Sequence, residues 1–195
     1  MLICVEGFDR TGKDTLLGRA RVDWCKEAIV YDQPRSEDTG ADYRNPKAFS
    51  AYLTKHFKQV VADLNDLLKK PRCVIMTRFL VSDNSYSQIL GREKLLEKAI
   101  EEGKLFDSGA EIKIFLLKWK NYSEYLKRVR SSNSVVEYSE EEFSKIQDLM
   151  VEETNKLSGH IMEITADTPK DDIFLELGNY VGKKVVIKKS RKWSA

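Results

Sequence analysis

The chain is poor in cysteine, with only Cys4, Cys25 and Cys73 in 195 residues. An odd and widely separated set supports neither a disulfide framework nor a zinc site. The three read as reduced, buried thiols. Long apolar runs are also missing: none approaches the roughly 20 residues of a membrane span, and no basic-then-apolar leader precedes the first strand-like run. The expectation is a soluble, cytoplasmic protein with no membrane partner. Charge of one sign is not in excess either. The 33 basic and 31 acidic residues leave a net charge of +2, so the whole-protein balance gives no argument for nucleic acid or for acidic partners. There is no internal repeat, and the one biased segment is a basic tail from Lys183 to Lys192. That tail lacks aromatic interleaving for base stacking apart from Trp193, and it reads as a solvated end more readily than as a nucleic-acid contact.

What is present suffices for one domain with a continuous core, without disulfides or a structural metal. Short apolar runs alternate with longer helical patterns, the signature of a parallel sheet covered by helices. Leu2-Ile3-Cys4-Val5 reads as a strand buried on both faces. A helix is expected from Lys13 to about Lys26, with Leu16, Leu17, Ala20 and Trp24 on one face, then a strand over 28–31. The apolar positions from Phe49 to Leu68 recur at helical spacing. Further strands are expected over 73–76, 112–117 and 160–165. Helices are expected from Asn121 to about Arg130, from a capping-box start at Ser139 to about Leu157, and after Pro169.

The strongest local signal is Gly7-Phe8-Asp9-Arg10-Thr11-Gly12-Lys13, placed between the first strand and the first helix. Glycines let the backbone curl so that its N–H groups face a phosphate, and the helix N-terminus adds positive potential. Lys13 would reach the outer phosphates of a nucleotide. A Ser or Thr normally follows the lysine and binds Mg²⁺; here Asp14 stands there, and Thr15 comes one place later. A carboxylate is an acceptable Mg²⁺ ligand. The chain contains no Asn-Lys-x-Asp element for guanine, which argues against a GTPase.

The phrase from Val5 to Lys13 resembles the arginine-bearing phosphate loop of the thymidylate kinase family, and is similar to loops of viral and phage deoxynucleotide kinases. The resemblance continues in order along most of the chain. It implies an α/β, three-layer P-loop kinase fold, with a five-stranded parallel sheet, helices on both faces and a mobile lid. On that basis residues 1–182 form one kinase domain, the lid spans about 127–138, and 183–195 form the tail.

Pro34-Arg35-Ser36 with Gly40 looks like the family's loop after the second strand, one residue short, which makes Arg35 a contact for the acceptor phosphate. Counting back without gaps from Arg78 puts Tyr52 and His56 where the family places a base-stacking aromatic and a base-reading arginine. Spacing of i, i+4 sets both on one helix face, where they are equally ordinary members of the apolar stripe. Arg78-Phe79-Leu80-Val81-Ser82 and Ser85-Tyr86-Ser87 are similar to the family's motif at the end of the third strand, where ligands of parallel sheets bind. The resemblance implies that Arg78 holds the acceptor phosphate and that Tyr86 crowds the sugar 2′ position. Ser82 is either structural or part of the pocket. The family's aspartate before that arginine is Thr77 here, so a carboxylate at 14 and a hydroxyl at 77 stand in exchanged places around Mg²⁺.

Lys127-Arg128-Val129-Arg130 resembles the lid that closes over ATP, with Arg128 favoured and Arg130 second as the lid arginine; a solvated basic helix face is the competing reading. Ala166-Asp167 falls where the family's adenine-contacting loop lies. The reaction so implied is transfer of the ATP γ-phosphoryl group to a deoxynucleoside monophosphate, with dTMP favoured and Mg²⁺ required. Gly7, Thr11, Gly12 and Thr15 would complete the nucleotide site, Arg10 would help spread the developing charge, and Asp9 would hold the sugar 3′-hydroxyl region. The family is commonly dimeric, and the stripe from Phe49 to Leu68 is a candidate homodimer surface. The alternatives are a deoxynucleoside kinase and a nucleotide-binding pseudo-kinase.

Overall fold

The computed structural model describes residues 1–32, 46–107, 109–132 and 138–183. Five strands, β1 (Leu2–Gly7), β2 (Ala28–Val30), β3 (Cys73–Thr77), β4 (Ile112–Trp119) and β5 (His160–Ile164), form one sheet in the order β2-β3-β1-β4-β5. Every neighbouring pair is parallel. The α/β fold with a five-stranded parallel sheet is the one the sequence implied. The central strand β1 is wholly buried, from Leu2 to Gly7, as a strand covered on both faces must be.

Seven helices are described: α1 (Lys13–Asp23), α2 (Pro46–Leu68), α3 (Leu80–Ile89), α4 (Leu95–Gly103), α5 (Tyr122–Ser131), α6 (Glu140–Lys156) and α7 (Lys170–Val181). Crossovers between parallel strands are right-handed. The step from β1 outward past β3 to β2 therefore puts α1 on one face, while the returning steps put α2, α3 and α6 on the other. α7 joins α1, where Trp24 stacks on Phe174 at 4.7 Å.

Helix starts follow local chemistry. Ser139 and Glu142 form the expected capping box at α6, and Asn121 caps α5 through the N–H of Glu124. Pro169 is the N-cap of α7 and lies just outside its first turn. α1 ends at Asp23, short of the expected Lys26, because Trp24 turns its ring into the core and the N–H groups of Glu27 and Ala28 close on its carbonyl. That turn leaves Cys25 exposed, which corrects the expectation of three buried thiols; Cys4 and Cys73 are buried. Leu53, Phe57, Val60, Val61 and Leu64 of α2 are core residues, Phe49, Tyr52, Leu67 and Leu68 are partly buried against that core, and Lys55, Lys58 and Gln59 face outward. Helices α3 and α4 had no counterpart in the sequence reading. Among the described residues, no helix is long and apolar enough to cross a membrane.

Candidate active site

The sheet changes direction of growth at β1, with β3 on one side and β4 on the other. In open parallel sheets the crevice at such a point, beyond the carboxyl ends of the strands, is where ligands bind. The ends of β1 and β3 meet there, with Val5 opposite Thr77. The loop from Gly7 to Gly12 leaves β1 at this edge. Gly7 has φ +143°, and a Cβ there would lie 2.5 Å from the carbonyl oxygen of Leu117. Glycine is required on both counts. Gly12 sits in the left-handed region at φ 94° and starts α1; Arg10 shares that region at φ 66°.

The loop curls around its own lysine. Lys13 Nζ donates to the carbonyls of Gly7 and Phe8, both at 2.7 Å, and to Thr11 Oγ1 at 3.3 Å. Thr11 Oγ1 in turn donates to the Phe8 carbonyl at 2.9 Å. Burial pushes the Lys13 ammonium down to about 7, and the Arg78 charge adds to this, while Asp9, Glu6 and Asp14 oppose it. The ammonium is thus in the phosphate loop but faces the loop's own carbonyls. Asp14 and Thr15 are exposed on the first turn of α1.

Arg78 follows β3 in the left-handed region, at φ 54°, with about half its side chain exposed (51%). Its guanidinium is hydrogen-bonded to the Asp9 carboxylate, which joins the end of β3 to the loop after β1. Tyr86, partly buried on α3, shares a hydrogen bond with Tyr138, and its hydroxyl is held above the ordinary value by burial and then by the Asp9 and Tyr138 charges. Arg78, Asp9, Lys13 and Tyr86 therefore form one constellation at the switch point.

Ser82 belongs behind this constellation. It is buried, and its hydroxyl donates to Glu6 Oε2 at 2.5 Å. The other oxygen, Glu6 Oε1, accepts from the N–H of Phe79 at 2.7 Å. Glu6 is fully buried, and burial pushes its carboxyl up against the countering hydrogen bonds from Ser82, Phe79 and Val81 and the Lys13 charge. It is the residue near the site to which the sequence reading gave no role. The available signal was a lone carboxylate inside an otherwise apolar strand.

Tyr52 and His56 share one face of α2 as expected. Their rings stack on each other with centroids 5.6 Å apart and planes at 21°. Tyr52 also packs against the core, and burial lowers the His56 pKa. Arg35 lies outside the described residues. Arg128 is half-buried and Arg130 exposed in the last turn of α5, where the hydroxyls of Ser131 and Ser132 donate to the Arg128 carbonyl. Neither guanidinium enters an ion pair among the described residues. The base of α5 is tied to the loop after β5: Glu124 Oε2 accepts from the N–H of Ala166 at 2.8 Å, and Lys127 Nζ lies 3.1 Å from Asp167 Oδ2.

The residues fit a divalent cation held mainly by phosphate. Among the described residues no group of three or more His, Cys, Asp or Glu gathers as a metal cage. Mg²⁺ uses only one or two carboxylates, with phosphate oxygens and water completing its octahedron. Asp14, exposed on the first turn of α1 directly after Lys13, is a carboxylate available for it. Thr77 ends β3 beside the same edge.

No protein-family model and no curated protein matches the chain. Among solved structures it is similar to the YorR protein of Bacillus subtilis in complex with phosphorylated GDP, at 20% identity and TM-score 0.60, covering 93% of this chain and 96% of that one. It is also similar to deoxyadenosine kinase from M. mycoides with bound dATP, at 12% identity and TM-score 0.61, covering 94% and 100% of the two chains. The same enzyme with bound dCTP gives 11% identity and TM-score 0.56, covering 93% and 99%. Across nearly the whole length, then, this chain has the fold of those nucleotide-binding structures.

Proposed function

We propose that the protein transfers the γ-phosphoryl group of ATP to the phosphate of a deoxynucleoside monophosphate, with dTMP the favoured acceptor. The observation that carries this reading is the placing of Arg78 at the mouth of the phosphate loop. A guanidinium there is a natural clamp for a second phosphate facing the first. The thymidine preference rests on the sequence motifs alone.

In-line phosphoryl transfer asks little covalent help from the protein, and most of the work is positioning and charge neutralisation. The loop N–H groups from Gly7 to Gly12 and Thr11, with the start of α1 through Thr15, would hold the donor phosphates. Lys13 would exchange its loop carbonyls for phosphate oxygens. Arg78, with Arg35, would fix the acceptor phosphate, and the Asp9 carboxylate would then be released toward the sugar 3′-hydroxyl. Tyr52 would stack the base, His56 would meet its edge, and Tyr86 would crowd the 2′ position. Arg10 and Arg128, with Arg130 in support, would spread the charge that develops at the transferring group. Asp14 and Thr77 would hold Mg²⁺, which when bound neutralises the phosphates. A cytoplasmic homodimer completes the reading, with sedimentation as the check on its state.

A second reading, deoxynucleoside kinase, is favoured by the likeness to the deoxyadenosine kinase structures and by Asp9, a carboxylate near the place a sugar hydroxyl would occupy. One assay separates the readings: turnover with Mg²⁺-ATP against the four deoxynucleoside monophosphates, thymidine and deoxyadenosine. Formation of dTDP from dTMP is expected. Turnover of the nucleosides alone would transfer the case to the second reading, and none with any acceptor would leave a pseudo-kinase.

A further inference from the structure

We propose that Glu6 is the positioning residue for the acceptor arginine: from the end of β1 it caps α3 and fixes the turn in which Arg78 presents its guanidinium. The inference rests on the reading that Arg78 binds the acceptor phosphate.

A helix leaves its first N–H groups without intrahelical partners. α3 begins after Phe79, whose side chain cannot cap it. The cap comes instead from another strand. Glu6 Oε1 takes the N–H of Phe79 and Oε2 takes the Ser82 hydroxyl. Negative charge at a helix N-terminus is favourable, which gives a physical reason for a fully buried carboxylate in an apolar strand.

Arg78 needs such a hold. A residue with a Cβ pays for the left-handed region, and the conformation persists where the surroundings over-determine it. Both flanks of Arg78 are pinned by successive residues of β1. The Val5 carbonyl accepts the N–H of Arg78 at 3.3 Å, and Glu6 accepts that of Phe79. The same strand runs on into the phosphate loop at Gly7. Through Glu6, the donor loop and the acceptor arginine are therefore set by one short piece of backbone. Glu6 lies behind both and touches neither phosphate site directly.

The test uses the full chain with Glu6→Ala, Glu6→Gln and Ser82→Ala. Steady-state KM for dTMP, equilibrium affinity for ATP and amide hydrogen exchange are measured for each. Glutamine keeps an oxygen for the N–H of Phe79 and can donate to the Ser82 hydroxyl. Glu6→Ala is expected to raise the dTMP KM about tenfold or more while ATP affinity stays within about threefold, and Glu6→Gln to recover most of the loss. The amide of Phe79 should exchange faster in Glu6→Ala, with those of 74–76 unchanged. Equal loss of ATP and dTMP binding, no rescue by glutamine, or unaltered exchange at Phe79 would overturn the proposal. If Glu6→Ala does not fold, Ser82→Ala decides in its place: a dTMP-specific rise in KM supports the assignment, and a flat one ends it. Absence of dTMP turnover in the unmodified protein would defeat the proposed function, whereas exchange at Phe79 would still report on the cap.

Discussion

The Phe8 ring meets the Tyr125 ring edge-on, with centroids 5.2 Å apart and planes at 90°. Phe8 is the second residue of the phosphate loop, and Tyr125 belongs to α5, the helix whose last turn carries Arg128 and Arg130. Tyr138 and Phe143 close on the same ring, each at 5.0 Å. Edge-to-face aromatic contacts of this kind add to the burial of the rings themselves. The loop and the arginine-bearing helix thus share one aromatic core.

Phe8→Ala should lower stability by about 3–5 kcal/mol, the usual range for emptying a well-packed phenylalanine site. Urea unfolding measures this directly, and ATP affinity should fall with it because the loop loses its anchor. Phe8→Leu should cost clearly less. A loss below about 1 kcal/mol for the alanine variant would mean the site collapses freely and the ring anchors nothing.

His56 should make stability sensitive to acid. Burial holds its folded pKa below the ordinary 6.5. The unfolded chain therefore takes up a proton that the folded chain refuses. Stability falls as pH drops through the unfolded value and levels off below the folded one. Denaturant unfolding from about pH 7 to about pH 5 should show the native protein losing stability relative to His56→Gln. Parallel curves for the two proteins would refute the placement of a neutral, desolvated imidazole.

The pair Asp14 and Thr77 should act together. Asp14→Ser alone is expected to reduce kcat about tenfold or more by removing the single carboxylate near the cation. The double change Asp14→Ser with Thr77→Asp should recover part of that loss. Simple additivity of the two single effects would sink the idea of exchanged roles.

The two arginines of α5 should separate. Arg128 is the half-buried one, so Arg128→Ala is expected to lower kcat on the order of a hundredfold with ATP affinity little changed. Arg130→Ala should cost only a few-fold. Rapid-quench turnover of both variants is the measurement, and equal small effects would return the basic run to an ordinary solvated helix face.

Local chemistry made much of this legible in advance. The turn from Gly7 to Lys13 is read within seven residues because its conformation depends on glycine at fixed places and on the helix that follows. The capping box at Ser139 is of the same kind, satisfied by near neighbours, and the stripe of α2 is legible from its helical spacing. α3 was invisible for a matching reason. Its buried positions include Ser82, Asp83, Asn84, Ser85 and Ser87, so the apolar period that marks an amphipathic helix is absent. α4 is only nine residues long and buries just Leu96 and Ala99 on its own face.

By itself, the sequence determined the alternation of strands and helices, the glycine-shaped loop with its lysine, and the set of polar residues available to serve it. Those features follow from periodicity and backbone sterics over a few residues. Only the tertiary structure decided that Lys13 turns onto its own loop, that Arg78 joins Asp9 across 69 positions of chain, and that Glu6 caps a helix 73 positions away. Ion pairs and hydrogen bonds are settled by distance in space, and the strand order that brings β1 beside β3 is what sets those distances.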